Sequence, residues 1–329
     1  MHKVLIGLVS YNDLEYLKDV VPILEQLRVT LPADVAVLDS AHSNDVRDFF
    51  KKKFPEILYF RHKDGNVGYG RGLSAILKKN PGHKYYLVTT NDVLLDVSTS
   101  QKAVKMMEHD KTIAMCSGKL YHWDREKGLR TRIIDTLGVQ AERNHHFYER
   151  GAGEEDHGQY DESLQDFFGI SGASFLIRTS VIPDLHGEDW RLFDERMWMY
   201  KEDVDLSYRL RWLGEKLYLM PEVWGWHART ASNMEGQGAG NLVRAQKGKA
   251  DYTRRNSYKN HILLLKNNFS WRNGPEVILR TFLFESAKGI YMLFRHPSVF
   301  FGGMRTLLFV RGRRSKRLVS AHEILSFFK

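Results

Sequence analysis

Apolar runs alternating with amphipathic helices predict an α/β fold, with a mostly parallel sheet flanked by helices and then a C-terminal helical region. Three observations carry this. Residues 3–9 form a β-rich apolar run, and Leu14, Leu17, Val21, Leu24 and Leu27 follow at helical spacing. The alternation recurs as far as Thr89, as expected for parallel strands joined by crossover helices. Beyond Tyr252 strand signals stop, and apolar and aromatic helical segments interleave with Arg and Lys.

The bulk numbers agree with a folded globule. The chain has 329 residues, 43% hydrophobic and 12% aromatic, enough for one large domain or two. Its single cysteine, Cys116, excludes an internal disulfide and fits a reducing compartment. The opening residues read as a first strand rather than a signal peptide, and no run of apolar residues is long enough to span a bilayer. A cytoplasmic protein is expected. The net charge of +9 is concentrated at one end: residues 286–322 contain eight Lys or Arg and no Asp or Glu. Without them the chain is practically neutral, so the basic tail is the partner-facing feature.

Taken in order, residues 34–38 form a second strand with Asp39 at its carboxyl end. Residues 46–54 are helical, 57–60 a third strand, and 68–79 a helix entered through Gly68-Tyr69-Gly70-Arg71-Gly72. A fourth strand over 85–89 ends in Thr90-Asn91-Asp92. Ligands on parallel sheets gather at strand carboxyl ends, where Ser10, Tyr11, Asp39 and Asp92 all fall. Residues 119–166 read as a polar, aperiodic excursion that can cover a site. Three of its histidines, His145, His146 and His157, lack cysteine partners and zinc-type spacing, which argues against a zinc site. Strand character returns over 167–177 and 216–220, the latter followed by Trp224-Gly225-Trp226-His227. Residues 230–248 read as a mobile loop, with a domain boundary near residue 230 that separates 1–230 from 231–329.

The densest chemistry lies in residues 192–214, where Glu202, Asp203 and Asp205 crowd at the start of a helix. Leu206, Leu210, Leu213 and Leu217 recur as its apolar face. The helix dipole favours negative charge there, and a positioned carboxylate can act as a general base; the plainer reading is capping. The glycine turn at Gly68 does not follow the first strand and lacks Gly-Lys-Ser/Thr, so it is not a dinucleotide fingerprint. It can approach a phosphate, with Arg71 adding charge, or be only a tight connection. Asp92 is placed to hold a hard cation, whereas Asp96 reads as a helix cap. His227 is either packed among aromatics or a metal ligand with Asp92, a mixed set suited to manganese or magnesium.

In their order along the chain these pieces resemble glycosyltransferase family two, inverting nucleotide-sugar transferases of GT-A fold with a Rossmann-like nucleotide-binding half. The resemblance runs through VSYN, Asp39 with Ser43-Asn44-Asp45, NVGYGRG, TND, SGASFLIR, the long FDERMWMYKEDVDLSYRLRWLG block and the final WH. The long block, with DTLGVQ and GEEDHGQYD, looks most like the bacterial rhamnosyltransferase branch that builds cell-wall and surface polysaccharides on lipid carriers. The resemblance implies that Ser10, Tyr11 and Asp39 serve the nucleotide, and that Asn66, Gly68 and Arg71 line the diphosphate side. It implies that Asp92 and His227 hold Mn2+ or Mg2+, and that Asp203 is the base with Glu202 beside it. Thr90 and Ser74 depart from the family pattern, at the metal motif and after the glycine turn. The implied substrates are a nucleotide-sugar donor, with L-rhamnose on deoxythymidine diphosphate as the branch's suggestion, and a lipid-diphosphate-linked glycan acceptor. The basic C-terminal region is expected to make peripheral contact with the inner face of the membrane, against an alternative of packing on the domain. A glycoside hydrolase would have no use for a nucleotide half, and no motif supports nucleic-acid binding. A catalytically degenerate nucleotide-sugar binder is the closer rival.

Overall fold

A computed structural model describes residues 2–11, 13–41, 44–63, 65–186, 190–229 and 251–329. Asn12, Ser43, the segment 230–248 and the boundary near residue 230 lie outside the described residues.

The first elements follow the sequence pattern closely: β1 (Val4–Ser10), α1 (Leu14–Thr30), β2 (Ala33–Asp39), α2 (Asp45–Lys53), β3 (Leu58–Arg61), α3 (Tyr69–Lys79) and β4 (Tyr85–Thr89). Next come β5 (Val93–Leu95), α4 (Val97–His109), β6 (Ile113–Asp124), β7 (Leu129–Thr136), β8 (Val139–Ala141) and β9 (Phe147–Glu149). Then follow β10 (Ser174–Arg178), α5 (Ile182–His186), α6 (Glu202–Trp212) and β11 (Lys216–His227). Asp96 caps α4 by accepting the Thr99 N–H at 2.8 Å, as expected.

The sheet order is β3-β2-β1-β4-β10-β6-β11-β5, with β7 added to β6. The first four strands are mutually parallel. Beyond them β10 runs antiparallel to both β4 and β6, and β11 is parallel to β6 but antiparallel to β5. Pleating divides the core in two. Val4, Ile6 and Leu8 of β1 meet Leu17, Val21 and Leu24 of α1, whereas Leu5 meets Leu73 and Ile76 of α3. Helices cover both faces, as the alternation requires.

Two local expectations are corrected. Leu217 is not on the acidic helix: α6 ends at Trp212, Gly214 takes a positive φ, and Leu217 lies in β11. Spacing alone cannot see that turn, although Leu206, Leu210, Leu213 and Leu217 still share one cluster. Residues 119–166 are not structureless either, since β7, β8 and β9 lie there. The first half of β7 is largely solvent-accessible on both faces, so it carries no alternation to read. His145 packs among Phe147, Tyr208 and Phe328 with its pKa pushed down to about 3 by burial, a core histidine.

The C-terminal region is helical as expected: α7 (Asp251–Asn268), α8 (Pro275–Arg295), α9 (Pro297–Phe309) and α10 (Ala321–Leu325). It shares a third cluster with the sheet domain, in which Leu263, Leu264, Ile324 and Phe328 meet Phe168, Tyr208 and Trp212.

Gly225 of β11 lets β5 come close, because a Cβ there would lie 2.4 Å from the Leu94 carbonyl oxygen. Gly225→Ala is expected to cost about 1–3 kcal/mol in urea denaturation. An unchanged midpoint would contradict this close fit.

Candidate functional site

The carboxyl ends of β1 and β4, the turn before α3, β9, and the starts of α6 and α7 surround one cavity of about 480 Å³. Tyr11, Asp13, Asn66, Gly68, Asp92, Glu149, Glu202, Asp203, His227 and Arg229 all line it.

Gly68 is required for two reasons. Its φ is +80° at the N-cap of α3, and a Cβ would stand 2.5 Å from the Trp198 ring. Its N–H is held by Asn66 Oδ1 at 3.0 Å.

The entry to α6 is strained. Tyr200 and Lys201 both adopt left-handed conformations, with φ of 73° and 68°, which cost energy in non-glycine residues. A buried amide from α7 holds this turn. Asn260 Nδ2 donates to the carbonyls of Met197, Met199 and Tyr200 at 2.9, 2.7 and 2.8 Å. Behind it Asp205, fully buried, accepts from Arg209 Nε at 2.6 Å and from Asn267 and Asn268 at 3.1 and 2.7 Å. Asp205 is thereby a structural acid, unlike the two before it.

Asp203 is fixed at both oxygens. Oδ2 accepts the Gly172 N–H at 2.9 Å and Oδ1 accepts the Val204 N–H at 2.8 Å. The carboxylate therefore presents its remaining lone pairs from a defined position on the cavity wall. Glu202 beside it is buried, and its Oε2 has no hydrogen-bond partner among the described residues. Burial first, and then the charge of Asp203, push its pKa up to about 8, so it is largely protonated at neutral pH.

A chain of charges also reaches this cavity. His227 Nε2 is 3.3 Å from Asp92 Oδ2, and its Nδ1 is 2.9 Å from Asp135 Oδ2. Burial opposes charging the ring, but Asp92 and Asp135 outweigh it and lift the pKa to about 10. Arg229 pairs with Asp135 and lies 3.8 Å from Glu149, whose own pKa burial raises to about 7. Among the described residues no group of three or more His, Cys, Asp or Glu is arranged to hold a metal by itself. Asp92 and His227, 3.3 Å apart, nonetheless match the roughly 3 Å between adjacent ligands of one small cation at about 2.1 Å each, which would take the place of the proton on His227 Nε2. Asp135 would fix the ring orientation from behind. A hard divalent cation fits this carboxylate–imidazole pair.

The structure thus gathers Tyr11, Asn66, Gly68, Asp92, Glu202, Asp203 and His227. Ser10, Asp39 and Arg71 do not line that cavity. Ser10 is buried and donates to Asp13 at 2.5 Å. Asp39 is buried at the end of β2, accepting the Ala41 N–H at 2.7 Å and the Tyr59 hydroxyl. Arg71 faces a neighbouring recess with His62 and Trp198. Residues that sequence reasoning left without a role are Asp13, Asp135, Glu149, Arg229, Thr253, Ser257 and the clamp Asn260. Asp13 directly follows the first strand end, and Arg229 is two residues beyond His227; that proximity was the available signal. Asn260 had none.

No protein-family model matches the chain, and no curated protein matches its sequence. Its fold does have solved counterparts. TarS from S. aureus, residues 1–349, in complex with UDP-GlcNAc superposes with a TM-score of 0.55 at 11% identity, covering 93% of this chain and 79% of that one. The same protein in complex with UDP gives 0.50 at 11% identity, over 93% and 81%. The mannosyltransferase PcManGT from Pyrobaculum calidifontis, in complex with GDP-Man and Mn2+, gives 0.49 at 12%, over 93% and 87%, too loose to argue from. The fold is that of the GT-A-type glycosyltransferases.

Two outcomes follow from this geometry. Asn260→Ala, which strips three carbonyls of their donor, is expected to lower stability by about 1–3 kcal/mol. Chemical denaturation checks this, and an unchanged midpoint would show that the clamp is dispensable. Glu202 keeps a proton when folded that the unfolded chain loses near 4.5, so its contribution to stability falls as pH rises from there to about 8. Glu202→Gln is expected to flatten that fall, read as the pH dependence of the urea midpoint beside the parent protein. Parallel curves would refute it.

Proposed function

We propose that the protein is an inverting, metal-assisted glycosyltransferase that moves a sugar from a nucleotide-sugar donor to a hydroxyl of a glycan acceptor. The observation that carries the reading is the Asp203 carboxylate, held by two backbone N–H groups across one cavity from the Asp92–His227 pair. The UDP-GlcNAc bound by TarS, a protein of the same fold, supports a nucleotide sugar as donor. Half-exposed Tyr11 is placed to flank the base, and Asp39 orders the turn at the end of β2 beside it. The turn at Asn66 and Gly68 would receive the diphosphate at the N-terminus of α3, with Arg71 at its outer side. Asp92 and His227 would hold Mn2+ or Mg2+. Such an ion, when bound, neutralises charge on the departing diphosphate.

Asp203 takes the proton from the acceptor hydroxyl as that oxygen bonds to the anomeric carbon from the face opposite the donor phosphate. The bond from the anomeric carbon to the phosphate oxygen breaks, and its electron pair leaves with the nucleoside diphosphate. Neutral Glu202 adds no second negative charge beside the base and can donate a hydrogen bond to the sugar or the acceptor. The sugar we favour is L-rhamnose from the deoxythymidine diphosphate donor, on a lipid-diphosphate-linked acceptor in cell-wall or surface polysaccharide synthesis. Sequence resemblance supports that choice.

Asp203→Asn is expected to reduce transfer about 10²–10⁴-fold while leaving donor binding intact. A panel of nucleotide sugars, assayed with and without Mn2+, reads both quantities. An undiminished rate would remove Asp203 from the mechanism, and no binding by any nucleotide sugar would remove the transferase reading. Asp135→Asn is expected to weaken Mn2+ binding about 10–100-fold by paramagnetic resonance titration with nucleoside diphosphate present.

A further inference from the structure

The basic C-terminal end does not project toward a partner; it returns to the body of the protein. The Leu318 N–H donates to the Trp212 carbonyl at 2.7 Å, the Arg317 guanidinium lies 4.1 Å over the Trp212 ring, and Phe328 packs on Phe168 and Tyr208. Deleting residues 311–329 would therefore open the core rather than remove a lipid anchor. The exposed apolar surface lies just before it, on α8 and α9.

An ordinary surface helix turns its apolar stripe inward, but α8 buries only Val277, Thr281 and Met292 and leaves most of its apolar side chains outside. Its inward side holds much of its polar chemistry. Thr281 Oγ1 is 2.8 Å from His145 Nδ1, Glu285 pairs with His261 at 2.7 Å, and Met292 meets Tyr258 and Ile262 of α7. Its outward side presents Leu279, Phe282, Leu283, Ile290 and Phe294 at helical spacing, all exposed. α9 continues this surface to Leu308 and Phe309, and Phe294 and Phe309 are each 79% exposed. Arg295, Arg305, Arg311, Arg314 and Lys316 are exposed along and beyond the same two helices. No Asp or Glu occurs between residues 286 and 322 to balance them.

We propose that the outward face of α8 and α9 docks on a lipid bilayer carrying anionic headgroups. An apolar face bordered by cations matches the boundary between acyl chains and phosphates. A second copy of the chain fits less well, because a self-complementary contact would bring two acid-free cationic borders together. Among the described residues no helix is long and apolar enough to cross a membrane, so the hairpin lies in the interface. α7 links this surface to the chemistry. It presents Thr253 and Ser257 to the cavity and Tyr258 and Ile262 to the hairpin, so a single helix about 10–12 Å across separates the two. A docked protein holds its cavity beside the bilayer, where a lipid-linked acceptor would present its glycan.

The inference extends the lipid-linked acceptor reading and rests on it for its purpose, but vesicle binding is measured without donor, acceptor or turnover. If docking fails while transfer dependent on Asp203 persists, only docking falls. The full chain is sedimented with phosphatidylglycerol vesicles and, in parallel, with phosphatidylcholine vesicles. Binding to the anionic vesicles is expected. Phe294→Ser combined with Phe309→Ser should weaken it at least about tenfold, and Arg305→Glu about fivefold or more. These side chains are exposed, so both variants should keep the parent melting temperature. No binding by the parent, unchanged sedimentation of both variants, or a solution dimer abolished by the phenylalanine variant would overturn the proposal.

Discussion

The start of α6 depends on polar groups that reach it from α7. Two consecutive left-handed residues, Tyr200 and Lys201, turn the chain so that Glu202 and Asp203 face the cavity, a conformation that local preference opposes. Asn260 offsets the strain by donating to three carbonyls of that turn, and Asn267 and Asn268 hold Asp205 one turn further on. In an apolar interior each of these bonds is costly to lose, so the acidic group is held as one unit. The C-terminal helices are therefore part of the site's support, whatever surface they also offer outside.

The sheet divides the chemistry into two sides. Parallel strands β1 to β4 end on the side with half-exposed Tyr11, Asp13 and the Gly68 turn. The mixed strands beyond them bring Asp92 and His227 together, because β5 pairs with the end of β11 in the register Val93 to His227. Asp135 reaches the far side of His227 from β7, and Glu149 comes from β9, which forms a separate two-stranded sheet with β8. The sheet and α6 thereby bring Asp203 and the Asp92–His227 pair to the same cavity.

Residues 119–166 read as a polar excursion that can cover a site, and their strands β8 and β9 line the cavity with Val139, Phe147, Tyr148 and Glu149, while Asp135 stands behind His227. The basic terminal segment packs against Trp212 and adds Phe328 to the core. What stays outside is the apolar side of α8 and α9, which a composition reading would assign to the interior.

The sequence by itself determined the alternation of strands and helices, the strand-end positions of Tyr11 and Asp92, and the acidic helix start at Glu202 and Asp203. Those are local patterns, fixed by side-chain periodicity and turn chemistry over a few residues. It could not determine that Leu217 had left the helix for a strand, because a turn at Gly214 preserves the spacing. Nor could it show that Asp39 is buried among internal partners, or that Asn260, fifty-seven positions after Asp203, supports the turn that carries it. Which face of α8 is covered was also decided only by tertiary packing. A side chain's partners depend on distances between segments far apart in the chain, and only the folded arrangement of β5, β11, α6 and α7 sets those distances.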